Sequence, residues 1–155
     1  MTANVIVVVE RKFNYPRPRV FRAWTAPEEM AQWRGSPGWH VETGTVSSEL
    51  KLGGRHHHVK VLGADPNVRV TTDAVFTEFF DPDVFVAKQR ITGDDGIDPN
   101  VPLELRVEFS PQGPDATLVR IIQGPYDPEV AQYHAEGWEK ELGRLEEFLG
   151  KEAGR

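Results

Sequence analysis

The sequence has no cysteine, only two methionines and three tyrosines in 155 residues, and no hydrophobic run approaching the roughly 20 residues of a membrane helix. The first absence excludes disulfides, thiolate zinc sites and cysteine nucleophiles, and leaves nothing that argues for an oxidising compartment. The apolar run Val5–Val9 is short and is followed at once by Glu10, Arg11 and Lys12, so it reads as a buried strand rather than a secretory signal. Positive charge is also in short supply. With 18 basic against 24 acidic residues the formal charge is −6, which offers no global attraction to phosphate backbones or anionic lipid. The cluster Arg17, Arg19, Arg22 reads as a solvated helix face. A cytoplasmic protein that neither binds nucleic acid nor inserts into a membrane is expected.

What is present describes one domain, 1–155, burying roughly 70% of the surface of its unfolded chain. A strand is expected over 4–13, where β-branched residues dominate, and Pro16 and Pro18 break it. Val20, Phe21 and Trp24 recur at helical spacing, and Thr25-Ala26-Pro27-Glu28-Glu29 signals a second start, so two short helices fall within 17–33. From 39 to 123, strand-like runs alternate with turns at Gly53-Gly54, Gly63 to Pro66, Asp81-Pro82, Gly93 to Gly96 and Gly113-Pro114, as in an antiparallel meander. The expected strands are 39–50, 54–63, 67–79, 83–92, 102–110 and 115–123.

A long helix is predicted over 128–149, capped by Asp127, opened by Pro128 and ended by Gly150. Its apolar face carries Val130, His134, Trp138, Leu142, Leu145, Phe148 and Leu149, with Glu136, Glu139, Lys140, Arg144 and Glu147 mostly outside. Gly137 inside it suits close approach of the backbone to the sheet, or cavity volume being kept. One long helix after six strands cannot be a βαβ arrangement, because parallel strands would each need a crossover. The fold expected is α+β, a curved antiparallel sheet of six to seven strands wrapped around the C-terminal helix.

Particular residues point to a family. Arg11-x-Phe13-x-x-Pro16, Val20-Phe21-x-Ala23-Trp24-Thr25-x-Pro27-Glu28, Trp33, Gly53-Gly54 and Gly137-Trp138-x-x-x-Leu142-x-x-Leu145 resemble, in order, the activator-of-heat-shock-ATPase homologue-like family of the START-like superfamily. The resemblance implies the helix-grip fold of the birch-pollen allergen. It admits three functions: enclosure of a small hydrophobic or amphipathic molecule, a polyketide cyclase- or hydrolase-like activity, and a chaperone-associated interaction module. Two departures stand out. Glu49-x-Lys51 replaces an Asp-x-Arg pair, and Arg34 stands where a tryptophan commonly follows Trp33.

Alternation along 84–91 turns Phe85, Ala87, Gln89 and Ile91 inward and Lys88 and Arg90 outward, and Leu103 to Phe109 alternates likewise. Gln89 and Phe85 are therefore candidate ligand contacts, together with Trp39 and with His134, Gly137 and Trp138 of the helix. Trp24, Trp33, Phe79 and Phe148 read as core. His134 is able to donate to a ligand carbonyl or transfer a proton; an enzyme would draw on it, Gln89 or Glu78. His56 and His58 point to one side of a strand at a spacing that can chelate zinc with His40 or His134, but Arg55 and Lys60 flank them with positive charge, so no metal is expected. Gly93 to Asp98 lacks the closing glutamate of a calcium loop. No cofactor motif is present. The partner expected is a small hydrophobic molecule, with a chaperone or a second copy of the chain as further possibilities.

Overall fold

The computed structural model describes residues 4–154. Strand β1 (Val5–Phe13) is followed by helices α1 (Arg17–Thr25) and α2 (Pro27–Trp33), then β2 (Trp39–Val41), β3 (Ser47–Ser48), β4 (Arg55–Leu62), β5 (Asp65–Phe80), β6 (Val84–Thr92), β7 (Leu103–Pro111), β8 (Thr117–Tyr126) and α3 (Pro128–Ala153). The sheet runs β1-β8-β7-β6-β5-β4-β2, antiparallel throughout, with the two-residue β3 also paired to β4. It curls around α3 as the helix-grip fold requires. Among the described residues no helix is long and apolar enough to cross a membrane.

Each sheet face follows the period-two rule. Leu103, Leu105, Val107 and Phe109 of β7 are buried, while Glu104 is exposed. On β6, Phe85, Ala87, Gln89 and Ile91 are buried, and Lys88 and Arg90 face solvent. A register shift between Phe76 and Glu78 resets this alternation, so that Phe79 as well as Phe76 joins the aromatic cluster around Phe21. That cluster continues through Phe85, Phe109 and Trp24 in edge-to-face and tilted contacts. Leu142, Leu145 and Leu149 of α3 complete the core.

Three expectations need correction. The strand expected over 39–50 is two short pieces, because the chain turns around Gly44 (φ 81°) between Val41 and Ser47. α3 does not stop at Gly150 but runs to Ala153, since Gly150 keeps a helical conformation that no αL residue interrupts. Arg144 is not an outward residue: it is half-buried and donates to the carbonyls of Gly35 (2.7 Å) and Trp39 (2.8 Å), tying α3 to the loop after α2. The double glycine does what its type suggests. Gly53 has φ 78°, and a Cβ on Gly54 would lie 2.0 Å from the Glu49 carbonyl oxygen.

Candidate functional site

Between the N-terminal half of α3 and the concave face of the sheet lies a cavity of about 760 Å³. Its volume is within the range of small-molecule sites. The sheet contributes Lys60, Val70, Thr72, Gln89 and Ile91; the β6–β7 loop adds Asp94 and Ile97, and Trp39 closes one side. From α3 come Val130, His134, Gly137, Trp138 and Glu141. Trp39, Gln89, His134, Gly137 and Trp138 are thus brought together around one space. Phe85 is not among them. It lies deeper, in the wall of a second chamber of about 30 Å³ with His56, His58 and Phe76, where it packs on Phe109 and Trp24. Gln89 and Arg34 border both chambers.

Arg34 is the least expected feature. It is 8% exposed, and its guanidinium carbon lies 5.0 Å from the Trp138 ring centre and 5.7 Å from those of Trp24 and Trp33. Its Nε donates to Glu141 Oε1 at 3.1 Å, and the Gly35 N–H donates to the same oxygen. Burial pushes the Glu141 carboxyl up, yet the charges of Arg34 and Lys60 and these bonds outweigh it and hold the group below its usual range. The indole faces supply the rest of the guanidinium's surroundings. Where the resemblance led to the expectation of a tryptophan, the chain carries a cation that the neighbouring tryptophans and one buried carboxylate accommodate.

A second network fixes the end of the cavity. Gln123 Oε1 accepts from Trp138 Nε1 at 2.8 Å and from the Tyr126 hydroxyl, and Gln123 Nε2 donates to Gln89 Oε1 at 2.8 Å. Tyr126 stacks on His134 with ring centres 4.4 Å apart and planes 13° from parallel. Burial raises the Tyr126 phenol, so it stays a donor. Burial likewise lowers His134, against the opposing pull of Asp94, whose own carboxyl is raised by burial. Burial thus favours the neutral His134 ring, and its Nε2 is buried without a hydrogen-bond partner among the described residues.

The histidine run resolves differently. His56 Nδ1 faces Ser48 Oγ at 3.1 Å, and His56 Nε2 lies 2.7 Å from His58 Nδ1, so the two rings hydrogen-bond each other. Burial, with Arg34 nearby, lowers His56 to about 4 and His58 well below its ordinary value. Among the described residues no group of three or more His, Asp or Glu stands close enough to hold a metal ion. His57 points outward and pairs with Asp73. Glu78 is bound to Arg106 at 3.3 Å on the outer face and is not part of the cavity wall. At the other departure from the family pattern, Glu49 makes no pair with Lys51; its carboxylate caps the Arg55 N–H at 3.0 Å.

Lys60, Thr72, Asp94, Gln123, Tyr126 and Glu141 were not singled out by motif. Lys60 had a readable signal: the parity that places His56 and His58 inward places Lys60 inward too. Glu141 had a weaker one, lying three residues after Trp138 on the same helical face.

Solved structures share the whole architecture. The AHSA1 protein of Silicibacter pomeroyi superimposes with a TM-score of 0.81 at 21% identity, covering 96% of this chain and 99% of that one. A protein from Chromobacterium violaceum gives 0.79 at 18% identity, with 91% and 94% covered. CalU16 from Micromonospora echinospora gives 0.66 at 17% identity, with 100% and 90% covered. At these identities the likeness is one of fold. No curated protein matches the chain. Residues 14–150, from the end of β1 through most of α3, match the model of the family described as Activator of Hsp90 ATPase homolog 1-like protein, and the chain belongs to that family.

Proposed function

We propose that the protein encloses a small hydrophobic or amphipathic molecule between α3 and the sheet and performs no chemistry on it. The observation that carries this reading is the cavity of about 760 Å³, walled on one part by Trp39, Val70, Ile91, Ile97, Val130 and Trp138 and on the rest by polar and charged side chains such as Lys60, Thr72, Gln89 and His134. Such a wall suits an amphipathic molecule, its apolar part against the aromatic and aliphatic side chains and its polar part against the oriented groups. Gly137 contributes no side chain to the wall. The family's fold commonly hosts hydrophobic ligands, which agrees with the reading.

Native mass spectrometry of untreated protein tests it directly, with a co-purified small molecule as the expected result. A complementary thermal-shift screen of lipids and aromatic metabolites should find a stabiliser, since a ligand at about a hundredfold excess over its Kd adds about 2.7 kcal/mol. An empty preparation together with a flat screen would overturn the proposal.

A further inference from the structure

The polar groups of the cavity divide by whether they already have partners. Gln123, Tyr126, Trp138 and the Gln89 carbonyl are committed to one another, and Arg34 and Glu141 form a pair. Lys60 makes no ion pair and no hydrogen bond among the described residues, and neither do the Thr72 hydroxyl and Gln89 Nε2. Strand pairing sets these three in a row. Lys60 lies opposite Val70, two residues before Thr72; Thr72 lies opposite Ile91, two residues after Gln89. They therefore step diagonally across β4, β5 and β6 on the cavity face, Thr72 being the diagonal neighbour of both Lys60 and Gln89.

This row is rich in donors. A lysine offers three N–H groups and no acceptor, and an amide nitrogen offers two. Two cations, Arg34 and Lys60, and two carboxylates, Glu141 and Asp94, are set in the wall; Arg34 is paired directly with Glu141, whereas Lys60 makes no ion pair among the described residues. Asp94 is half-buried beside His134, and burial raises its carboxyl while His134 and Lys60 pull the other way; Asp95, Glu136 and Lys140 are exposed at the rim. Burial lowers the Lys60 ammonium against the pull of Glu141 and Asp94, neither of which pairs with it directly, and a ligand anion seated on it would favour its charged form. One directly unpaired lysine and a line of donors match a singly charged, two-oxygen acceptor. A phosphate dianion would bring a second negative charge to a wall that already holds Asp94 and Glu141.

We propose that the cavity holds its ligand by a carboxylate head, paired with the Lys60 ammonium and accepting from the Thr72 hydroxyl and Gln89 Nε2, with the apolar body lying against Trp39, Val70 and Ile91. This assignment rests on the cavity-binding reading above and adds the chemistry of the head group.

The test compares acids with neutral analogues of equal body: decanoate and 2-naphthoate against decan-1-ol and 2-naphthol, titrated into the whole protein and followed by calorimetry and by the fluorescence of Trp39 and Trp138. At least one acid should bind about tenfold or more tightly than its alcohol, the factor expected of one charge-assisted hydrogen bond. In Lys60→Met, which removes the charge and keeps an unbranched side chain, that preference should vanish while alcohol binding persists; Lys60→Arg should retain it. Equal binding of acid and alcohol by the wild-type protein, or an acid preference unchanged in Lys60→Met, would refute the head-group assignment and leave cavity binding standing. Failure of all four probes to bind would overturn both.

Discussion

Replacing Glu141 by glutamine isolates the charge that neutralises Arg34. Glutamine keeps the shape of the side chain and an oxygen able to accept from Arg34 Nε and the Gly35 N–H, so only the ionic part of the contact is lost. At the 3.1 Å separation of Nε and Oε1 the gross attraction is about 5 kcal/mol for an effective dielectric near 20. The guanidinium cannot shed its proton and, at 8% exposed, meets water only where it borders the cavity, so it stays largely buried and uncompensated, with Lys60 as a second nearby cation. Breaking one partner of such a pair costs about 3–5 kcal/mol, of which the three indole faces return a part. We expect Glu141→Gln to lose about 3 kcal/mol in urea unfolding with an unchanged m-value, and roughly 10 °C in Tm. The double variant Arg34→Met, Glu141→Leu should recover most of this loss, because removing both charges also removes their desolvation. A Glu141→Gln variant within about 0.5 kcal/mol of wild type, or a double variant worse than the single, would refute the reasoning.

Acid should destabilise the fold through the buried histidines. The unfolded chain takes up protons as pH falls below the ordinary histidine value of 6.5, while folded His56 resists until about 4. Stability is therefore full above 6.5 and falls between 6.5 and about 4, by up to about 3 kcal/mol from His56, with His58 adding in the same direction. Chemical unfolding at pH 7.5 and pH 4.5 measures the loss, and a His56→Gln, His58→Gln variant should show a flatter profile. Gly137→Ala meets only Ser36 Oγ at 3.5 Å, an ordinary contact, so we expect it to stabilise α3 by up to about 1 kcal/mol while reducing cavity volume; calorimetry and ligand titration read the two effects separately. Gly54→Ala, by contrast, drives a methyl to 2.0 Å from the Glu49 carbonyl oxygen, and an unchanged Tm there would contradict the close approach described for this turn.

The elements that follow from periodicity were legible in the sequence. The wet and dry faces of β6 and β7, the capped start of α3 and the two short helices rest on local patterns of two or 3.6 residues, and local patterns survive folding. The end of α3 was not legible, because glycine tolerates helix and terminus alike and only neighbouring packing decides between them. Phe85 was placed on the correct face but in the wrong layer: alternation tells in from out and carries nothing about depth. Lys60 shows the same limit from the other side: its parity with His56 and His58 could be read, but that it faces α3 across the cavity follows only from the curvature of the sheet. The exchange of tryptophan for Arg34 was visible as a departure, but its partner lies 107 residues away, and no local pattern announces a pair at that distance.

The order of the strands also bears on how the molecule is assembled. Every pairing from β2 to β8 joins segments near in sequence, yet β1 pairs with β8, Phe13 meeting Thr117 across more than a hundred residues. Closing a loop of that length costs about 4 kcal/mol of chain entropy, so this seam is expected to form late, after the meander has collapsed. The first strand synthesised thus waits the longest for its neighbour, with Val5 to Val9 unpaired meanwhile on a β-rich edge open to other chains. Substitutions in β1 should accordingly lower the yield of soluble protein by more than their effect on the finished fold accounts for.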